Sequence, residues 1–293
     1  MSTLILPAFD LLVPQSLTEA VGCLAQYGKD VAILAGGTDL LVSLKAGLRP
    51  SYVLSLAEIP DLSYVLFDPS KGLRIGAMAT MRQVIDSEVI KTHYRALWQS
   101  AAQNGTPQTR NSATVVGNIL RASPSGDCSC AILAHGATVV LEGPSGRREV
   151  AIDEFWIDYM VMARKPDEIA VEVKLPAPKG NSFSAFMALN RMSQDLSKIS
   201  AAVSLEMEGN ICKAARAAMG AVAPTPLRMV RTEQLLKGAA ITDETMEKVA
   251  EAARAEVKPI DDVRSTAEYR RTVSGTLLKR TINMALSNGG GIH

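Results

Sequence analysis

Leu34-Ala35-Gly36-Gly37-Thr38-Asp39-Leu40-Leu41-Val42 follows directly on the apolar run Val31-Ala32-Ile33. The order is a short buried strand, two glycines, a Thr-Asp pair and a helical stretch through Lys45. That layout predicts a turn whose backbone N–H groups face an anion. Glycine lacks the Cβ that would block close approach, and the next helix start adds the positive end of its dipole. Upstream, Ser16-Leu17-Thr18-Glu19 is a capping box that opens a helix through Gln26, with Gly28 where a C-cap glycine belongs. Downstream, Tyr52–Leu56 reads as the next strand, so residues 1–56 form a small α/β unit.

A second α/β unit is expected over residues 57–178. Leu73–Gly76, Thr138–Leu141, Arg148–Ile152 and Glu168–Leu175 read as strands. Helices are expected from Met81 to Ser87 with Thr80 as cap, from Tyr94 to Gln103, and from Ala131 to Gly136. Asn104–Ser112 and Ala122–Asp127 read as polar loops. Pro176-Ala177-Pro178-Lys179-Gly180 is the clearest linker. Residues 179–293 then have the texture of an α+β domain. Strands are expected at Ser184–Leu189, Ala201–Glu208 and Lys213–Ala221, with helices at Leu227–Lys237, Asp243–Val257 and from Ser265 to Leu286. Gly289–His293 reads as a frayed tail.

Apolar residues make up 47% of the chain and charged residues 21%, which suits a packed globular protein rather than a disordered one. The net charge is +1, so nothing electrostatic points to nucleic acid or a membrane surface. There is no signal-like N-terminus and no run near the roughly 20 apolar residues of a spanning helix, so a cytoplasmic location is expected. The four cysteines (Cys23, Cys128, Cys130 and Cys212) lack the paired Cys-x-x-Cys spacing of zinc or iron–sulfur sites, and no in-chain metal is expected.

Two standard phosphate cradles are missing. No Gly-x-x-x-x-Gly-Lys-[Ser/Thr] run is present, and no Gly-x-Gly-x-x-Gly lies between strand and helix. A second turn of related chemistry is present, however. Gln108-x-Arg110-Asn111-x-Ala113-Thr114-Val115-Val116-Gly117-Asn118 is rich in small and hydrogen-bonding residues, and Asp127 follows in Ser-Pro-Ser-Gly-Asp. Two glycine turns and a spaced carboxylate suit an elongated dinucleotide. One turn can hold a pyrophosphate and the other sugar hydroxyls, while the acid accepts from a hydroxyl or a ring N–H.

These three motifs, in this order, resemble the FAD-binding (medium) subunit of the molybdenum hydroxylases, the xanthine dehydrogenase and aerobic carbon monoxide dehydrogenase family. Asp262-Val263-Arg264-Ser265-x-x-x-Tyr269-Arg270 is similar to that family's last domain. The resemblance implies an α/β FAD-binding domain of the vanillyl-alcohol-oxidase (PCMH) type in two subdomains, followed by an α+β C-terminal domain. It implies a large molybdopterin subunit and a small [2Fe-2S] subunit as partners, in a dimer of heterotrimers. Electrons would pass from the clusters through FAD to an external acceptor. Ile33, Leu34, Ala35, Gly36, Gly37, Thr38, Asp39 and Leu40 would wrap the pyrophosphate. Thr114, Gly117 and Asn118 would form the second contact loop, Asp127 would take the adenosine end or a ribose-type hydroxyl, and Ile169 and Ala170 would lie near the adenine or flavin. No side chain need act as a catalytic acid or base, because the flavin does the redox chemistry. A stand-alone FAD-dependent oxidase or reductase, and a flavin-free nucleotide-binding or assembly protein, remain as alternatives.

The chain departs from the family pattern in two places. Val116 stands where the second loop usually has a glycine, so a changed backbone is expected there, since β-branched residues avoid positive φ. Met187 stands where many relatives carry a lysine near the flavin ring. Among the remaining candidates, Arg110 is expected to brace the second loop, Cys128 to be inert, and Trp98 and Trp156 to be core. Tyr269 and Arg270 are read either as facing a partner or, with Arg271, as a solvated helix face.

Overall fold

The computed structural model describes residues 6–192 and 194–287. Among the described residues, three larger sheets follow one another along the chain, with a two-stranded hairpin beside the second. In the first, Tyr52–Ser55 runs between Asp10–Leu12 and Val31–Leu34, parallel to both. Parallel neighbours need crossovers, and helices Leu17–Tyr27 and Leu40–Lys45 supply them. Only half of the expected capping box closes, and the Glu19 side chain reaches one residue past the N-cap amide. Ser16 accepts from the Glu19 amide, and the Glu19 carboxylate accepts from Gln15 N at 2.8 Å.

The second sheet has five strands in the order Val65–Asp68, Gly72–Gly76, Ile169–Leu175, Thr138–Gly143, Gly146–Ala151, every pair antiparallel. Its central strand, Ile169–Leu175, is buried along almost its whole length. The buried Glu172 on that strand accepts from Tyr64 Oη at 2.5 Å and Arg74 Nε at 2.6 Å, the pairing a buried carboxylate requires. Six short helices fill the connection between Gly76 and Thr138.

Several elements here differ from the sequence expectation. Asn104–Ser112 is not all loop: Pro107–Ser112 is helical, with Thr106 capping it and Pro107 in its first turn, where proline costs no hydrogen bond. The helix expected from Ala131 starts at Asp127. Glu88–His93 is helical, and Val65–Asp68 and the hairpin Trp156–Met162 are strands, none of which the sequence reading marks. Each is short, so too few residues repeat for a period to show.

In the third sheet, Asn181–Leu189, Ile199–Glu208, Ile211–Gly220 and Leu227–Arg228 run antiparallel in that order. The two residues Leu227–Arg228 pair as strand, and the helix expected from Leu227 begins only at Val230. Both faces of the sheet are covered. Val203, Leu205 and Met219 pack with Val249, Leu278 and Ile282 of the C-terminal helices. Phe186, Ala202 and Ala218 join the core of the second unit, against helices Arg95–Gln103 and Asp127–His135. The expectation for Gly289–His293 lies outside the described residues.

Arg270 is neither a partner-facing nor a solvated side chain. It is 1% exposed and donates to the carbonyl oxygens of Lys198 and Ile260 and to Asp262 Oδ1, each at 2.8 Å. A fully buried guanidinium is tolerated only with such complete pairing.

Candidate functional site

The strand Val31–Leu34 ends at a cleft of about 480 Å³, between the first turn and the helices of the second unit. Ligands of open parallel sheets sit outside the carboxyl ends of the strands, and this cleft has that position. Ile33, Ala35, Gly36, Gly37, Thr38, Asp39 and Leu40 line one wall. Thr114, Gly117 and Asn118 line another, and Ile169 and Ala170 contribute from the central strand of the second sheet. The structure thus brings together twelve of the fourteen residues singled out in the sequence. Leu34 and Asp127 are the two that do not line it. The Leu34 carbonyl accepts from Leu56 N at 2.9 Å, extending the parallel ladder. Asp127 is buried beside the cleft at 6% exposure and accepts from Ser197 Oγ at 2.7 Å. Burial pushes its carboxyl up to about 6, against the opposing effect of the Ser197 hydrogen bond.

The two glycines of the first turn do different work. Gly37 has φ +73°, a conformation that L side chains rarely adopt. Gly36 has an ordinary φ, but a Cβ there would overlap the Ser112 carbonyl oxygen, so its lack of a side chain lets the second unit's backbone approach the turn. The amides of Gly36, Gly37 and Thr38 find no acceptor among the described residues. Three free N–H groups on a cleft wall form a cradle suited to oxygen atoms of an anion.

The second turn is the start of the short helix Val115–Leu120. Thr114 caps it, accepting from Gly117 N at 3.0 Å. Backbone bonds Met81 N to Ala113 O at 2.8 Å and Val115 N to Ala79 O at 3.3 Å pin this start to the adjacent helix start. Val116 is buried within the helix, where a β-branched residue needs no positive φ, so the expected change of backbone is not required. Asn118 Oδ1 is buried and has no hydrogen-bond partner among the described residues. A buried acceptor left open at a cleft wall is a place for a ligand hydroxyl or N–H.

Arg110 braces the approach to this turn, donating to the carbonyls of Asn104 at 3.2 Å and Gly105 at 2.8 Å. Asp39 Oδ2 lies 3.2 Å from Arg121 Nε, so a carboxylate of the first turn pairs with a guanidinium just beyond the second. The sequence reading misses Arg121 and Arg164, which also line the cleft. Neither belongs to a motif, and only the fold brings them alongside the turns. Met187 does not line the cleft; it packs against the core of the C-terminal unit. The departure from lysine at this position is therefore part of the packing between the third sheet and its helices.

Cys128 is buried, with its thiol pushed up to about 12, chiefly by burial, so it stays protonated and inert. Trp156 is core and donates to the Ile119 carbonyl at 3.0 Å; Trp98 is half-buried and donates to that of Ile85 at 2.9 Å. Among the described residues, no cluster of three or more His, Cys, Asp or Glu side chains is placed to hold a metal, and no helix is long and apolar enough to cross a membrane.

Two glycine-bearing turns, free backbone amides and the buried, unpartnered Asn118 oxygen meet in one cleft, an arrangement suited to an anionic, hydroxylated ligand. Residues 7–178 match the family described as the FAD binding domain in molybdopterin dehydrogenase, and residues 184–285 match the CO dehydrogenase flavoprotein C-terminal domain. The carbon monoxide dehydrogenase medium chain of Hydrogenophaga pseudoflava is 33% identical, over 95% of this chain and 97% of that one. The nicotinate dehydrogenase FAD-subunit of Eubacterium barkeri is 32% identical, over 97% and 99%. The solved structure of the Hydrogenophaga carbon monoxide dehydrogenase superposes with a TM-score of 0.93, covering 97% of this chain and 99% of that one, at 33% identity. Quinoline 2-oxidoreductase from Pseudomonas putida 86 gives 0.90 at 26% identity, with the same two coverages. The chain belongs to the family of FAD-binding subunits of the molybdopterin dehydrogenases, in the xanthine dehydrogenase group of oxidoreductases.

Proposed function

We propose that this chain holds FAD between its two turns and serves as the electron-transfer subunit of a molybdenum hydroxylase complex. When bound, FAD supplies the redox chemistry, taking electrons from the [2Fe-2S] clusters of a partner and delivering them to an external acceptor. The partners are a large molybdopterin subunit and a small iron–sulfur subunit, arranged as a dimer of heterotrimers in the cytoplasm. Residues 1–56 and 57–178 act as the two halves of the cofactor clamp, and 179–293 as the domain that closes against the second half.

The observation that carries this reading is the row of free amides at Gly36, Gly37 and Thr38 in the same cleft as Asn118, whose side-chain oxygen is open. The amides bind the cofactor's diphosphate, while Asn118 and Thr114 orient a hydroxylated or ring portion. Ile169 and Ala170 give an apolar surface for a planar ring. Asp127, buried and outside the cleft lining, ties the Ala122–Asp127 segment to Ser197. Relatives named as a medium chain or an FAD-subunit support the division of labour among subunits.

The test is purification of the tagged chain from cells that also express its neighbouring subunits. The expected result is a yellow protein with flavin absorbance, accompanied by one large and one small subunit identified by mass spectrometry. A colourless chain that takes up no added FAD contradicts the flavin assignment. A flavin-loaded chain that is stable and turns over alone contradicts the subunit assignment.

A further inference from the structure

We infer that Arg164 is the counter-cation of the bound cofactor's diphosphate, and thereby the residue that makes the cleft select a dinucleotide over a bare flavin. This rests on the flavin reading above. Three charged side chains line the cleft: Asp39, Arg121 and Arg164. Asp39 and Arg121 pair with each other. Arg164 forms no ion pair among the described residues; Asp167 and Glu168 act on its charge only from a distance.

The surroundings of Arg164 explain why it stays unpaired. Two acids follow it on the same loop: Asp167 forms no ion pair with it among the described residues, and Glu168 is engaged by Arg148 through bonds of 2.6 and 2.8 Å and also accepts from Lys165 N at 2.7 Å. Arg164 Nη1 donates instead to the carbonyl oxygens of Lys165 at 3.0 Å and Glu168 at 2.7 Å. Those two bonds tie the guanidinium to the start of the central strand and leave its Nε and Nη2 donors with no protein acceptor among the described residues. Burial lowers the Arg164 pKa, the sign of a cation partly stripped of water. Neutral backbone acceptors hold such a group in place without cancelling its charge. An anion entering the cleft does cancel it, with charge-assisted hydrogen bonds. Riboflavin has no such anion, whereas the diphosphate of FAD does. The free amides of the first turn complete the cradle around the same group.

The experiment uses the full chain stripped of flavin and titrated with FAD and, separately, with riboflavin, following flavin fluorescence. For Arg164→Met, FAD affinity is expected to fall roughly 30-fold, the effect of losing one charge-assisted contact, with riboflavin affinity unchanged. Arg164→Lys restores most of the FAD affinity. Added salt weakens FAD binding more steeply in wild type than in Arg164→Met. An equal loss for FAD and riboflavin, or no loss for either, overturns the inference while leaving the flavin reading intact. If wild type takes up neither ligand, the flavin reading itself fails. Should Arg164→Met not fold, the wild type decides: FAD binding insensitive to salt, and no tighter than riboflavin binding, overturns the inference.

Discussion

Asp39 and Arg121 join the two turns of the cleft, carboxylate to guanidinium at 3.2 Å. Both side chains are well exposed, so the pair is worth less than about 1 kcal/mol to the fold, and its consequence is electrostatic. Arg121 offsets a carboxylate that would otherwise repel a diphosphate at the adjacent amides. Arg121→Ala is expected to leave the unfolding midpoint nearly unchanged and to weaken FAD binding roughly 10-fold, whereas Asp39→Ala leaves FAD binding equal or tighter. Fluorescence titration of both variants checks this, and tighter binding by Arg121→Ala would contradict it.

The two adjacent glycines fail differently when altered. A Cβ at Gly36 meets backbone that cannot swing aside, so Gly36→Ala pushes the first turn away from Ser112. Loss of flavin uptake with retained secondary structure by circular dichroism is the expected phenotype. Gly37→Ala meets only side-chain atoms of Leu34 and Leu41, and its φ of +73° costs about 1 kcal/mol or slightly more. It should therefore bind FAD with a modest loss and show a slightly lower melting temperature.

Much of this site is legible in the sequence alone. The strand, the glycine turn and Thr114-x-x-Gly117-Asn118 are local signals, because capping and tight turns depend on neighbours in sequence. Asp127 is the instructive exception. Its motif marks it as a ligand, yet its carboxylate turns to Ser197, seventy residues on, which no local pattern reveals. Arg164 and Arg121 escape for the same reason, since a lone arginine has no period and its value lies in what the fold leaves opposite it. The five-stranded sheet is only half visible in the residue pattern. Val65–Asp68 alternates as an edge strand but is too short to stand out against the polar residues beyond it.

Asp127 gives the flavin-free protein a distinctive pH dependence. Its folded carboxyl, near 6, lies above the ordinary value of 3.8, so folding favours the protonated form. The cost of holding the charged form is absent below pH 3.8, grows as pH rises through 6, and is complete above it. From pH 5 to 7.5 the wild type should lose roughly 1–2 kcal/mol of stability relative to Asp127→Asn. Urea unfolding of both proteins at the two pH values tests this; a constant gap would refute it.

Asp262 behaves in the opposite sense. Burial alone would raise its carboxyl, but hydrogen bonds from Arg270 and then Arg264 outweigh that and hold it well below the usual range. Its stabilising contribution is present above the unfolded value of 3.8 and is lost as pH falls below it. Arg270→Met removes the buried half of the pair together with the bonds to Lys198 and Ile260. A loss of about 3–5 kcal/mol is expected by urea unfolding, and a loss under 1 kcal/mol would show that the buried cation is dispensable.

Hydrogen–deuterium exchange of the full chain with and without FAD tests the central claim most directly, because that claim concerns particular amides. On adding FAD, peptides covering Gly36–Thr38 should show the strongest protection, with a smaller gain over Thr114–Asn118, where Val115, Gly117 and Asn118 amides are already bonded, while the C-terminal helices Asp243–Glu256 and Ala267–Ser287 exchange unchanged. FAD bound with no protection at either turn would contradict the assignment of the cleft.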